Sequence, residues 1–173
     1  MNIKKIVSII AVSGALIATA VCVYVYVKAF TANTQFSQKE VFVYIPTNST
    51  YEDVKGIIEP MVENFSKFDF VATSRNYDTS VKSGKFLLKK GMTSFDIVRS
   101  LRLDVPVQVA FNNQETLGKL VQRLSNQLEP DSLALEVAFT NTPFLEENNF
   151  TEETILALFI PNTYEFYWDT PAE

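Results

Sequence analysis

The 173-residue chain contains no histidine and a single cysteine. Without an imidazole, no Ser-His-Asp or Cys-His nucleophile can be assembled, no His-rich zinc site can form, and no imidazole proton shuttle can operate near neutral pH. Cys22 alone allows neither an intramolecular disulfide nor a Cys-cluster metal site. No metal and no cofactor is therefore expected, and any acid–base work falls to carboxylates. Basic charge is also scarce. Residues 1–28 hold three lysines and no acid, which leaves 12 Lys+Arg against 20 Asp+Glu, net −8, over the other 145 residues. Nucleic-acid binding needs clustered Lys and Arg against phosphates, so no nucleic-acid partner is expected. Lys82, Lys85, Lys89 and Lys90 form the one basic patch, which reads as a solvated strand face.

What the chain does have is a long apolar run. Ile6 to Val27 is 22 residues without a charge, about 33 Å as a helix at about 1.5 Å per residue, enough for the bilayer core. Lys4 and Lys5 precede it and Lys28 closes it. With the free amino terminus, the leading flank is the more basic, which puts residues 1–5 in the cytoplasm and the bulk of the chain outside. Tyr24 and Tyr26 stand near the outer end, where aromatic rings favour the interface. A cleaved signal would have a shorter core. Ala18-Thr19-Ala20 resembles a cleavage site, but the apolar run continues past it. A lipidated Cys22 would want a small residue before it, and Val21 stands there. An uncleaved anchor over 6–27 is the expectation, with a polar juxtamembrane linker over 28–39.

Beyond the linker, a strand-then-helix pattern recurs three times. Val41 to Ile45 reads as a strand, followed by a turn and a helix through Val54, Ile57, Ile58, Met61 and Val62. Lys85 to Leu88 reads as the next, followed by Lys89-Lys90-Gly91 and a helix whose Thr93 and Asp96 are spaced as a capping box. Val105 to Phe111 is the third, followed by Leu117, Leu120, Val121 and Leu124 at helical spacing. The expectation is an α+β fold, with a region over 40–104 and a following one over 105–173. A further short helix is expected within 64–83. Two more are expected over Leu133–Phe139 and Glu152–Phe159, joined by Thr142-Pro143, with Thr151 as N-cap of the second. Thr170-Pro171-Ala172-Glu173 has the form of a helix start. A capping box without a helix behind it has no physical use. The chain is therefore expected to be a fragment cut where the next element begins, with Leu156, Phe159 and the Pro161-Asn162-Thr163-Tyr164 segment exposed and residues from about 140 to 173 poorly packed.

Just before that point stands Leu158-Phe159-Ile160-Pro161-Asn162-Thr163-Tyr164-Glu165-Phe166-Tyr167-Trp168, followed by Asp169. Its aromatics could form a sugar-stacking platform with Tyr164 and Trp168 as contacts, and Glu165 could act as a general acid. The competing reading is a partly buried strand in which Tyr164, Phe166 and Trp168 alternate with Glu165, Tyr167 and Asp169.

The stretch LFIPNTYEFYWDTPAE resembles the motif that opens the catalytic domain of the MltG (YceG-like) endolytic murein transglycosylases, with Pro161, Asn162, Thr163 and Tyr164 as its core. Ser83 to Ser94, with Ile97, Val98 and Leu101, is similar to that family's Gly-x-Tyr-x-Leu, Gly-Met-Ser segment, which lies in a LysM-like subdomain. Phe86 stands where the family has Tyr, Asn162 where Asp is commoner, and Phe111-Asn112-Asn113 lacks a Pro-Glu-Gly-like turn. The resemblance implies a single-pass anchor in the bacterial cytoplasmic (inner) membrane, a LysM-like α+β region over 40–104, and over 105–173 linking elements with the beginning of a truncated transglycosylase domain. It implies a lyase that cleaves peptidoglycan glycan strands and leaves 1,6-anhydro-muramic acid ends, with cell-wall synthesis proteins as candidate partners. The family's catalytic Glu lies in an Ala-Ser-Ile-Ile-Glu-like helix downstream of the Pro-Asn-Thr-Tyr core. That places it beyond Glu173, so no catalytic residue is assigned here and residues 1–173 are expected to be inactive. The alternative is a non-catalytic, membrane-anchored peptidoglycan-binding or scaffold module.

Overall fold

A computed structural model of the chain describes residues 3–172, with residues 4–7 described by backbone only. The expected cytoplasmic residues Met1 and Asn2, the side chains of Lys4 and Lys5, and Glu173 therefore lie outside the described residues. The architecture is α+β. Helix α1 runs Ile3–Phe30, β1 Glu40–Ile45, α2 Tyr51–Ile58, α3 Phe65–Ser74, β2 Gly84–Lys89, α4 Ser94–Ser100, β3 Val107–Phe111, α5 Leu117–Ser125, α6 Ser132–Phe139, α7 Thr142–Glu147 and β4 Asn162–Phe166. Short 3-10 turns occupy Glu59–Met61 and Ile155–Leu158. There are two two-stranded sheets, β1 with β2 and β3 with β4. Over Ser8–Phe30, α1 is long and apolar enough to cross a membrane.

Two compact units are formed. The first comprises Met1–Val41, Thr50–Val81 and Leu88–Arg102; the second comprises Phe42–Ser49, Lys82–Leu87 and Leu103–Glu173. In the first unit, helix boundaries follow from capping chemistry. The Thr50 hydroxyl accepts from the Asp53 N–H while Asp53 accepts from the Thr50 N–H, and α2 gives way at Pro60 to a 3-10 turn. Thr93 and Asp96 form the same reciprocal box at the start of α4, as their spacing predicts. Val54, Ile58, Phe68, Val71, Tyr77, Ile97, Val98 and Leu101 are buried. Apart from Tyr77, which follows α3, their spacing along each helix is that of a single inward stripe.

Asn33, fully buried like Ser94, is a polar anchor of this unit near the start of the segment between α1 and β1. Its carboxamide nitrogen donates to the Asn64 carbonyl and to the Ser94 hydroxyl, each at 3.0 Å, and its carboxamide oxygen accepts from the Asn64 N–H at 2.8 Å. Its backbone N–H donates to the Met92 carbonyl at 2.9 Å, and its carbonyl accepts from the Glu63 N–H at 3.1 Å. The polar segment after α1 is thereby tied to the start of α3 and the start of α4. A side chain buried this deeply is tolerated because every carboxamide group has a partner.

In the second unit, Val109, Phe111, Leu120, Val121, Leu124 and Leu135 form one hydrophobic cluster. The α5 stripe read from the sequence supplies three of its members. Leu156, Phe159 and Tyr164 pack against that cluster, so the expected exposure is not found at these three, whereas Pro161, Asn162 and Thr163 are exposed as expected. Two helix expectations are corrected. Thr142-Pro143 is no joint, because it opens α7: the Asn141 side chain accepts from the Phe144 N–H at 3.1 Å, and Pro143 tolerates a first-turn position that needs no N–H. Residues 152–159 form only the 3-10 turn, since Ile155 alone of that stretch is buried and one apolar anchor does not sustain an amphipathic helix. Thr151 correspondingly caps no α-helix; its hydroxyl donates to the Glu153 carboxylate at 2.7 Å.

Candidate functional site

Strands β3 and β4 carry the Pro-Asn-Thr-Tyr core. They pair antiparallel with Val107 opposite Phe166, Gln108 opposite Glu165, Val109 opposite Tyr164, Ala110 opposite Thr163 and Phe111 opposite Asn162. Residues opposite one another share a face of the sheet, so Tyr164 follows Val109 toward the cluster and Glu165 follows Gln108 outward. Tyr164 is half-buried and Glu165 exposed, as strand alternation predicts, but Phe166, expected on the inner face, is exposed because the strand ends there and leaves the cluster. The Tyr164 ring stacks on Phe111 with centroids 5.5 Å apart and an interplanar angle of 18°. Its hydroxyl donates to the Ile160 carbonyl at 2.7 Å, closing the turn around Pro161.

Pro161, Asn162 and Thr163 are exposed. With Ala110, Phe111, Asn112 and Arg123 they line an open depression of about 550 Å³. Arg123 is held there by its Nε, which donates to the Ala110 carbonyl at 2.9 Å. Asn162 accepts the Thr163 N–H at 2.8 Å. The lining offers amide, hydroxyl and guanidinium groups suited to hydrogen-bonding a polar ligand. It contains no carboxylate and so no acid–base catalyst.

Trp168 lies elsewhere. Its ring meets Tyr44 edge-on at 5.1 Å, and its carbonyl accepts from the Glu129 N–H at 2.8 Å. The Glu129 carboxylate in turn accepts from both the N–H and the hydroxyl of Thr47, each at 2.6 Å. Tyr164 and Trp168 therefore pack on different partners, Tyr164 within β4 and Trp168 in the turn after it. No sequence signal pointed to Glu129, because its partner is 82 positions away and neither residue sits in a motif.

The carboxylate whose proton affinity is raised is Asp104. Burial pushes its pKa up, the nearby Asp169 pushes it further, and the Lys85 N–H donating to it at 2.9 Å pulls the other way. Asp169 accepts from the Ser83 hydroxyl at 2.5 Å. Asp104 nevertheless faces backbone, for its carboxyl group lies where a Cβ on Gly84 would stand. It is a structural group that joins the start of β2 to the segment before β3. Because the folded chain holds this proton more tightly than the unfolded one, stability from Asp104 is full below the ordinary carboxylate value. It is lost as pH rises through the raised one, so at neutral pH the ionised group weakens the fold. Asp104→Asn keeps an acceptor for Lys85. It is expected to be at least as stable as the parent at neutral pH and to lack this part of the pH dependence. Urea midpoints of the two proteins across acidic and neutral pH check this; parallel curves would count against it.

The model of the YceG-like family matches residues 43–173. The chain belongs to the YceG-like family. A crystal structure of a yceG-like protein from Listeria monocytogenes is similar to this YceG-like chain at 22% identity and TM-score 0.42, covering 79% of this chain and 51% of that one. The chain thus spans about half the length of that structure. No curated protein matches. Within the YceG-like chain, the Pro-Asn-Thr-Tyr core sits at an exposed turn and edge of the β3–β4 sheet. The Ser83-Gly84-Lys85 segment is the one clamped by Asp104 and Asp169. The Thr170 hydroxyl donates to the Tyr167 carbonyl at 2.7 Å.

Proposed function

We propose that this chain serves a membrane-anchored lytic transglycosylase of peptidoglycan, with α1 as a single-pass anchor and the folded part outside the cytoplasmic membrane. The observation that carries the proposal is the family match over residues 43–173, which includes the Pro-Asn-Thr-Tyr core. In this reading residues 40–104 form the LysM-like region, and 105–173 lead into the transglycosylase domain. The chemistry is cleavage of the bond between N-acetylmuramic acid and N-acetylglucosamine without water. A carboxylic acid protonates the leaving oxygen, and its conjugate base then takes the proton of the muramic acid 6-hydroxyl as that oxygen closes on C1. One carboxyl serves both steps because its protonation alternates. The absence of histidine is no obstacle to that mechanism.

No segment of residues 1–173 matches the family's Ala-Ser-Ile-Ile-Glu-like helix, and the exposed Glu165 is not assigned its role. Glycan strands treated with the whole protein that carries this sequence are expected to gain 1,6-anhydro ends by mass spectrometry. Residues 1–173 by themselves are expected to release none. Reducing ends in place of anhydro ends would show a hydrolase and overturn the transglycosylase reading. Retention on peptidoglycan without any cleavage would favour a binding module.

A further inference from the structure

The end of α1 does not stand clear of the folded part. The Tyr24 ring meets Phe70 of α3 edge-on at 6.2 Å, one turn later Lys28 donates to the Ser66 hydroxyl at 2.9 Å, and Lys67 donates to the Thr31 hydroxyl at 3.0 Å. As α1 advances from Tyr24 to Lys28, its partner on α3 steps back from Phe70 to Ser66, so the two helices run antiparallel side by side. At about 1.5 Å per residue, Tyr24 lies about 5 Å before the end of the uncharged run at Val27. A side chain packed on Tyr24 shares its depth. Around this junction the rings of Tyr26 and Phe30 stack at 5.8 Å, Phe30 stacks on Phe95 at 5.2 Å, and the Arg75 guanidinium lies 4.6 Å from the Phe95 centroid. Phe70 and Phe95 are half-buried and Tyr26 and Phe30 are exposed. Asp69 of α3 is engaged elsewhere, accepting from the Tyr51 hydroxyl at 2.9 Å. Aromatic rings interleaved with lysine and arginine are the composition of the membrane–water interface.

We propose that α3 and the start of α4 lie in the outer headgroup layer of the bilayer, with Phe70 at the boundary of the acyl chains. The first unit is then seated on the lipid surface and does not hang from a tether. This rests on the reading of α1 as a membrane anchor. The partner is the lipid surface itself, because α1 continues directly from the bilayer into this face.

The test uses the full chain in vesicles of phosphatidylcholine and phosphatidylglycerol carrying bromine either near the headgroup or near the chain end. The native tryptophan is removed by Trp168→Phe, and single tryptophans are placed by Phe70→Trp, Ser66→Trp, Val12→Trp and Gln122→Trp. Expected are a blue shift of emission and loss of intensity at 70 and 66, strongest with bromine near the headgroup. Position 12, inside the span, should be quenched, and position 122 should not be quenched. Ser66 is exposed, so its variant reports even if the Phe70 variant misfolds. Quenching at 12 with none at 70 or 66 would overturn the seating and leave the anchor intact. No quenching at 12 would remove the anchor reading and this proposal with it. Equal quenching at 122 would show general adsorption and also overturn the seating.

Discussion

Gly84→Ala is expected to lower the unfolding free energy by about 2–4 kcal/mol, the sum of a backbone penalty and a steric one. Gly84 holds φ +127°, a region that residues with a side chain rarely enter, and its missing Cβ leaves room for the Asp104 carboxyl group 2.7 Å away. The neighbouring Lys85 N–H donates to that carboxyl at 2.9 Å, so the group cannot retreat without abandoning a hydrogen bond. Urea denaturation measures the loss. A double variant with Asp104→Ala separates the causes. Removing the carboxyl relieves the clash but not the dihedral strain, so the double variant should be less damaged than the sum of the two singles. An unchanged midpoint for Gly84→Ala would refute the close approach. This glycine lies in the Ser83 to Ser94 segment whose pattern resembles the family's, and the structure supplies a physical reason for its identity there.

Asn33→Ala should cost about 2–3 kcal/mol, because it leaves the Asn64 N–H without its acceptor and the Asn64 carbonyl and Ser94 hydroxyl without their donor. Asn64 also caps α3, its side chain accepting from the Lys67 N–H at 3.2 Å. The loss should therefore concentrate at the α3 start and loosen the segment after α1. Hydrogen exchange at Asn64 and Lys67 is the direct readout, with faster exchange expected at both. Asn33→Asp should be no better, since a carboxylate cannot donate to the Asn64 carbonyl and would bury a charge. Full protection of the Asn64 amide in Asn33→Ala would contradict this assignment.

Both positions show where sequence reading stopped. Thr93 and Asp96 were legible because a capping box involves residues three apart, whose chemistry is local. The α5 stripe and the β3 alternation were legible for the same reason, since the period of burial is set by the backbone. Asn33 was not, because its partners lie 31 and 61 positions away and the surrounding residues are polar and small. The short 3-10 turn at Ile155–Leu158 has apolar residues enough to suggest a helical stripe but not enough to be buried as one. At the candidate site, Tyr164 and Trp168 were read either as a sugar platform or as an inward-facing strand. Their partners, Phe111 and Tyr44, come from distant segments that neither reading names.

By itself the sequence determined the apolar length of α1, the three strand-then-helix repeats, the capping box of α4 and the exclusion of imidazole and disulfide chemistry. These depend on composition and on residues a few positions apart. Tertiary structure alone decided that the segment after α1 is pinned by Asn33, that Asp104 occupies the space of a missing Cβ, and that Glu129 grips Thr47. It alone also decided that α3 lies beside the end of α1. Each of these joins groups tens of residues apart, and no local preference encodes which distant side chain will fill a given gap or satisfy a given donor.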